Sequence, residues 1–152
     1  MLLLKGRILT FSKIKELLPE EYEVARQFAD VLPGDGVSPA HPFGGFVINI
    51  NVCTKIHWDW HDHAFCLVLV ISDNCEDGDL CFSEPGIRLE LRSGDMAIFD
   101  SKRLSHFNRT YQGERASIVF HSDGVGKQWV ENRNGWAHSL YMNVSNSGGG
   151  EL

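Results

Sequence analysis

The hydrophobic pattern of the chain changes character near residue 45. Before that point, apolar residues recur at helical spacing over residues 14–18 and again over residues 20–32. Pro19 lies between these stretches, at a position that can end one helix or begin the next. A Pro-Gly-Asp-Gly run at residues 33–36 then favours a loop. The pattern predicts helices in the first third of the chain.

After residue 45 the sequence consists of short segments rich in Val, Ile and Phe, separated by turn residues such as Gly, Pro and Asp. This composition predicts β-strands. The predicted strands are residues 46–52, 65–71, 79–82, 87–91, 96–99 and 116–121. Because the strands follow the helices instead of alternating with them, we expect a mainly β fold with N-terminal helices, an antiparallel barrel or sandwich.

The length of 152 residues suits one domain. We divide it into helical support and loop (1–41), a β core (42–123) and a C-terminal tail (124–152). In the tail, Trp129 and Trp136 are expected to pack on the core together with Tyr141.

No feature of the sequence indicates a membrane or a secretory pathway. The longest apolar run covers residues 64–71, far short of the roughly 20 residues of a membrane span. The apolar start of the chain is followed at once by Lys5 and Arg7, unlike a secretory signal. We therefore expect an intracellular protein, and the sequence carries no indication of its oligomeric state.

The charge pattern argues against polyanion binding over the whole surface but permits a local anion site. A net charge of -6 argues against non-specific binding of a polyanion over the whole surface. Between residues 101 and 115, however, Lys102, Arg103, Arg109 and Arg115 accompany a single acidic residue, Glu114. This local excess is suited to a phosphate backbone, and a solvated loop is the alternative.

A histidine-rich segment at residues 57–63 carries the first candidate chemistry. His57 and Asp59 are two residues apart, so in an extended strand they share a face while Trp58 and Trp60 point away. A further histidine, His106, follows at a distance. Two imidazoles and one carboxylate form the facial triad of non-haem Fe(II) oxygenases, which leaves coordination positions for a 2-oxo acid and O2.

An arginine and a serine follow the distal histidine. The second carboxylate of a 2-oxo diacid needs a fixed cation, and Arg115 can bind it bidentately. Ser117, two residues along a predicted strand, can donate from the same side. Alone, Arg115 would be a surface cation, but its position after His106 favours the cosubstrate role.

These residues resemble the Fe(II)- and 2-oxoglutarate-dependent dioxygenases, whose fold is a double-stranded β-helix, or jelly roll. Segments 42–49, 78–82 and 105–108 further look like the TET/JBP-type oxygenase domains, particularly compact fungal ones. The resemblance covers roughly residues 42–123. It implies an enzyme that uses Fe(II), 2-oxoglutarate and O2 to oxidise the 5-methyl group of a pyrimidine in DNA, releasing succinate and CO2. It also implies a role in DNA demethylation and hence a nuclear location.

Carried over by position, the resemblance assigns a metal site and a cosubstrate site. His57, Asp59 and His106 would be the iron ligands and catalytic residues. Arg115 and Ser117 would hold 2-oxoglutarate.

The resemblance also assigns three substrate-binding residues. Asp62 matches the residue that reaches the base edge, which is Asn in animal members. An ionised carboxylate only accepts hydrogen bonds, so Asp62 favours 5-methylcytosine, with its 4-amino donor, over thymine. His121 matches the aromatic that stacks on the flipped base, although a half-exposed histidine at a strand end is an equal alternative. Asp123 matches a further base-contacting position.

Two groups of alternatives stay open at this point. His61 and His63 could form a metal pair of the cupin type, but the glutamate that such a site needs is missing before Glu76. The substrate could also be a small molecule or a protein side chain. A third alternative is a non-catalytic β-helix that serves as a binding domain.

Overall fold

The computed structural model describes residues 1–4, 11–31, 39–125, 127 and 131. Two helices precede the main sheet, α1 (Phe11–Leu17) and α2 (Pro19–Asp30). Pro19 occupies the start of α2, where its missing N–H costs nothing. The predicted helical N-terminal region is confirmed. The C-terminal tail, with Trp129, Trp136 and Tyr141, lies outside the described residues.

Eight strands form two antiparallel sheets within the described part of the chain. The strands are β1 (Leu2–Leu4), β2 (Gly45–Ile50), β3 (Cys66–Asp77), β4 (Leu80–Phe82), β5 (Ile87–Leu89), β6 (Met96–Phe99), β7 (His106–Asn108) and β8 (Tyr111–His121). One sheet has the order β1-β6-β3-β8-β2 and the other the order β5-β4-β7. The mainly β fold is therefore confirmed, and its arrangement fits the predicted jelly roll. No helix among the described residues has the length and hydrophobicity to cross a membrane.

Strand β3 is central because it is buried on both faces at its start. Cys66, Val68 and Val70 belong to a core cluster shared with the small sheet. Leu67 belongs to a second cluster, in which α1 and α2 cover the large sheet. This two-sided burial explains why residues 65–70, the middle of the apolar run, do not alternate with polar residues.

The β3–β8 pair is longer than the sequence predicts because both strands continue with exposed polar residues. Their register shifts between Asp73 and Glu76, where Asn74 adopts a positive φ of 44°. Gly113 on β8 lies against this bulge with a φ of 96°. An added Cβ there would lie 2.3 Å from the Asn74 carbonyl oxygen, so the bulge requires glycine.

We expect Gly113→Ala to destabilise the protein more than Gly86→Ala. Gly86 also has a positive φ, of 63°, but a Cβ there meets nothing within 4 Å. Both changes bear a left-handed backbone cost of about 1–2 kcal/mol. Gly113→Ala adds a clash of about 1–3 kcal/mol. Urea unfolding of the two variants measures the difference, and equal free energies of unfolding would contradict this role of Gly113 in the bulge.

Candidate active site

His57 and His106 are joined through their backbones. His57 N–H donates to the His106 carbonyl at 3.1 Å, and His106 N–H donates to the His57 carbonyl at 3.0 Å. The sequence argument that His57 and Asp59 share a face assumed an extended backbone at residues 57–59, and the structure has a loop there with this single bridge. The bridge still sends the tryptophans outward, since Trp58 and Trp60 are 40% and 62% exposed.

Both imidazole rings are oriented by local carbonyl groups. Nδ1 of His57 lies 2.7 Å from the Lys55 carbonyl oxygen, and Nδ1 of His106 lies 3.0 Å from that of Leu104. A proton on Nδ1 that is donated to each carbonyl leaves the Nε2 lone pair free. This is the usual support of a metal-binding histidine.

The two free nitrogens converge on one carboxylate. Nε2 of His57 is 3.7 Å from Oδ1 of Asp59, and Nε2 of His106 is 3.4 Å from Oδ2. One ligand atom from each residue lies within 4.8 Å of the others, and no other such cluster occurs among the described residues. The donor set therefore fits Fe(II), with three ligands on one side of the ion.

Asp59 is held in its ionised form. The pKa of its carboxyl group is lowered, chiefly by a hydrogen bond from His106 in the form that carries a proton on Nε2 as well as on Nδ1, and further by the nearby His57. A bound cation would take the place of that Nε2 proton. The Asp59 backbone N–H donates to the Ser101 carbonyl at 3.1 Å, which fixes the loop. An ionised carboxylate at neutral pH is the form that binds a metal.

A cavity of about 240 Å³ opens at this triad. Its wall includes Val47 and Asn49 of β2 and Ser117, Val119 and His121 of β8, in addition to the triad itself. Sequence reasoning missed three polar residues of this wall, Asn49, Thr54 and Asn108. The alternation of β2, in which Asn49 shares a face with Val47, was the one signal for them.

Arg115 does not line the cavity, and it is only 5% exposed. Its side chain passes Gly78, where a Cβ would lie 3.2 Å from its Cδ. Nη2 of Arg115 is buried with no hydrogen-bond partner. Burial lowers the pKa of this guanidinium, although it stays charged at neutral pH. A buried donor without an acceptor is costly, and the distal carboxylate of 2-oxoglutarate would supply one.

The backbone around Arg115 is fixed on both sides. Its N–H donates to Oδ1 of Asn51 at 3.1 Å, and its carbonyl accepts from Asn51 N–H at 2.8 Å. Ser117 is two residues further along β8, is buried and lines the cavity. Arg115 and Ser117 thus lie on one strand, β8, but only Ser117 lines the cavity, and their role as a cosubstrate pair stays a prediction.

Asp62 and His121 form a pair with each other at the opposite part of the wall. Oδ2 of Asp62 accepts from Oγ of Ser101 at 2.5 Å, and Oδ1 lies 3.1 Å from Nδ1 of His121. Burial raises the pKa of the Asp62 carboxyl group. The sequence predicted the two residues separately, as a base-edge contact and a stacking partner. The structure brings both to the cavity, and their roles stay predictions.

Asp123 does not line this cavity. Its backbone forms a bridge with Asp62, and its exposed carboxylate accepts from Val125 N–H at 2.8 Å. Its contact with a base stays a prediction.

The residues predicted to contact phosphate differ in whether an acidic partner already lies beside them. Arg109 Nη1 lies 3.7 Å from the buried Asp79 carboxylate, and Arg103 Nε lies 3.5 Å from Asp100. Lys102 is exposed and lines a different cavity. The lysine is therefore the best placed of the three for an external anion.

The alternative metal pair, His61 and His63, takes no part in a cluster of three ligands within the described chain. His63 stacks on Phe28 instead, with ring centroids 4.2 Å apart and planes 8° apart.

The structure is similar to that of NgTET1 in complex with 5mC DNA, with a TM-score of 0.53 and 16% sequence identity. The match covers 57% of this chain and 36% of that chain, so this chain covers only about a third of NgTET1. At this identity the likeness shows a shared fold. No protein-family model matches the sequence, and no curated protein matches it either.

Two further solved structures match less well. An oxidoreductase of the 2OG-Fe(II) oxygenase family from Burkholderia pseudomallei matches over 53% of this chain and 48% of its own, with 16% identity and a TM-score of 0.43. Protein NMB1881 from Neisseria meningitidis matches over 51% and 72%, with 19% identity and a TM-score of 0.39. These scores are too low to carry an argument.

We expect Asp59→Ala to lose metal binding while the fold is kept. The variant removes the only carboxylate of the triad. Losing a residue that merely supports a ligand costs up to about 100-fold in metal affinity, so we expect affinity for Fe(II) or Mn(II) to fall by at least that factor. Anaerobic titration calorimetry measures the affinity, and circular dichroism the fold. Asp73→Ala, which removes an exposed carboxylate from β3, is the control. Unchanged affinity in Asp59→Ala would show that the triad is not the metal site.

Proposed function

We propose that this chain is a double-stranded β-helix dioxygenase that depends on Fe(II) and 2-oxoglutarate. The observation that carries the proposal is the convergence of two carbonyl-oriented imidazoles on the Asp59 carboxylate at 3.7 and 3.4 Å. The fold likeness to NgTET1 supports it. The buried, unpartnered Nη2 of Arg115 supplies the cationic end that a 2-oxo diacid needs.

Each group of residues has a distinct task in this function. When bound, iron and 2-oxoglutarate supply the oxidation in which one atom of O2 enters a substrate C–H bond and the other enters succinate, with loss of CO2. His57, Asp59 and His106 hold the metal on one side. Arg115 and Ser117 fix the distal carboxylate and thereby the orientation of the cosubstrate. The apolar cavity residues Val47, Val68 and Val119 limit the water around the reacting group.

We expect Arg115→Ala to raise the Michaelis constant for 2-oxoglutarate at least tenfold, while the metal still binds. Losing one partner of a buried charge pair costs about 2–5 kcal/mol. Arg115→Lys keeps the charge but loses the planar fork, so its effect is expected to lie between those of Arg115→Ala and the wild type. Succinate release at varied 2-oxoglutarate measures the constant.

Arg109→Ala is the matched control because Arg109 is 43% exposed and lies beside Asp79. A larger effect in Arg109→Ala than in Arg115→Ala would show that Arg115 is not the arginine that binds the cosubstrate. Circular dichroism and metal titration of both variants establish that each is folded and loaded.

For the substrate, we propose the 5-methyl group of a pyrimidine in DNA, with 5-methylcytosine favoured over thymine. The TET/JBP-like segments support this class, and the structurally similar NgTET1 was solved in complex with 5mC DNA. A cavity of about 240 Å³ suits a small planar ring and cosubstrate better than a large metabolite. A stacked base cannot enter it, so the base has to flip out of the helix. A DNA substrate also implies a nuclear location.

The Asp62–His121 pair supports the preference for cytosine. When Nδ1–H of His121 donates to the Asp62 carboxylate, Nε2 of the same ring is an acceptor. Cytosine offers a 4-amino donor where thymine offers a carbonyl. The acceptor for the 4-amino group is therefore Nε2 of His121. Its ring is held by the hydrogen bond to Asp62, which Ser101 holds in turn.

The substrate prediction is tested with iron-loaded protein, 2-oxoglutarate and DNA that contains either 5-methylcytosine or thymine. We expect hydroxymethylcytosine as the main product, because its parent base supplies the matching donor. Digestion and mass spectrometry identify hydroxymethyl, formyl and carboxyl products. Asp59→Ala is the inactive control.

Absence of oxidised bases from both DNAs, together with rapid succinate release in the presence of a metabolite or peptide, would assign the enzyme to a different substrate class. Succinate release that needs neither a candidate substrate nor a metal would contradict the dioxygenase assignment.

A further inference from the structure

A second cavity lies beside the cavity at His57, Asp59 and His106, which we call the iron cavity, and shares one residue with it. Its volume is about 370 Å³, and Asp62 contributes to the walls of both cavities. The histidine-rich segment forms one side of the second cavity, and the turn after β8 forms the other. None of the tasks assigned above uses it.

Two lysines from separate segments line this second cavity, Lys102 and Lys127. His63 lines the same cavity; burial lowers its pKa, and the charges of both lysines lower it further. Lys127 lies 3.7 Å from Glu131, but both side chains are more than half exposed, so solvent screens that pair. The acid in the wall, Asp62, is already engaged by hydrogen bonds. The wall of the cavity thus has two lysines and one acid, so its charge balance favours an anion.

His63 can add a neutral donor to this site. One face of its ring is covered by Phe28, and its Nδ1 is buried without a partner. A proton on Nδ1 would be a buried donor with no acceptor, so the tautomer with its proton on Nε2 is favoured. His63 lines the second cavity, and in this tautomer Nε2–H is the ring's donor.

A glycine closes the turn that carries Lys127. Gly124 N–H donates to the His61 carbonyl at 2.5 Å, and Lys127 N–H donates to the Gly124 carbonyl at 2.9 Å. A Cβ on Gly124 would lie 2.9 Å from the His61 oxygen. This close approach holds the turn after β8 against the histidine-rich segment, so the second cavity is part of the folded framework.

Trp60 gives the rim of the same cavity a flat aromatic surface. It is 62% exposed, and its ring lies 5.4 Å from that of Trp58. Cations that track phosphates, combined with exposed aromatic rings that stack on bases, are the pattern of single-strand nucleic-acid binding.

We propose that the second cavity binds a backbone phosphate of a nucleic-acid strand whose reacting base occupies the iron cavity. Lys102, Lys127 and Nε2–H of His63 are the donors, and Trp60 stacks on a neighbouring base. The inference rests on the proposed function and adds a contact to it: a single or locally opened strand supplies the phosphate that the second cavity binds, which a free base or nucleoside lacks.

The test measures binding of a fluorescently labelled single-stranded oligonucleotide without iron or 2-oxoglutarate, by anisotropy at several salt concentrations. Lys102→Ala/Lys127→Ala is expected to weaken binding at least tenfold. The salt dependence of log affinity is expected to flatten by about 0.7 for each phosphate that the variant no longer neutralises. The matched control, Lys13→Ala/Lys15→Ala, removes two exposed lysines of α1 and is expected to change binding less than twofold.

Two further measurements separate the parts of the proposal. Trp60→Ala is expected to weaken binding severalfold with an unchanged salt slope, because stacking does not release counterions. Inorganic phosphate is expected to shift the ring resonances of His63 in the wild type and not in Lys102→Ala/Lys127→Ala.

Equal losses of affinity in the two double-lysine variants would overturn the proposal, because net charge would then explain the binding. Equal competition by a glutamate-rich peptide of the same charge would overturn it too, because the cavity would then bind anions in general. The outcome is independent of turnover. Lysine-dependent binding without base oxidation would leave the phosphate site of the second cavity and remove the proposed DNA-base substrate, whereas oxidation of DNA that is unaffected by loss of both lysines would do the reverse.

Discussion

The reciprocal backbone hydrogen bonds between His57 and His106 are the interaction on which the site depends. They tie the loop at residues 51–65 to the small sheet, at the start of β7. Each ring then turns its Nδ1 to a carbonyl two residues before it, so the local chain sets the direction of each Nε2. Asp59 lies between these nitrogens because its own backbone is held by Ser101. The three ligand atoms are thus brought together by hydrogen bonds that need no metal.

Asp59 and Asp62 are three residues apart, and their different surroundings shift the pKa values of their carboxyl groups in opposite directions. Asp59 lies beside two imidazoles, and its pKa is lowered. Asp62 is buried at 7% exposure, and its pKa is raised. The first is suited to a cation, and the second to a structural hydrogen bond that positions His121. Opposite pKa shifts of neighbouring acids are a recurring sign of separate roles in one site.

The sequence predicted those features that depend on local pattern. The apolar runs at residues 65–71 and 96–99 become β3 and β6, and the three residues predicted as iron ligands, His57, Asp59 and His106, lie together in the structure. Strand β7 was missed because its three residues, His106–Asn108, are too few to show an apolar alternation, and the two polar ones line the cavity. β1 was missed because three leucines next to charged residues have no strand signature of their own.

Other features depend on contacts between distant parts of the chain. The Asp62–His121 pair joins residues 59 positions apart, and the Thr54–Asn108 contact joins residues 54 positions apart. No periodicity reports such pairs. The missing hydrogen-bond partner of Arg115 Nη2 is likewise a property of the packed interior. The spacing of Arg115 and Ser117 predicted only that both lie on one strand, which β8 confirms.

The most direct test of this metal and cosubstrate site is a crystal structure grown without oxygen in the presence of Mn(II) and an unreactive analogue of 2-oxoglutarate. We expect the metal on Nε2 of His57, a carboxylate oxygen of Asp59 and Nε2 of His106. We expect the distal carboxylate of the analogue on Arg115 and Ser117. A metal bound at other residues, or an analogue whose distal carboxylate lies on a different cation, would contradict both assignments.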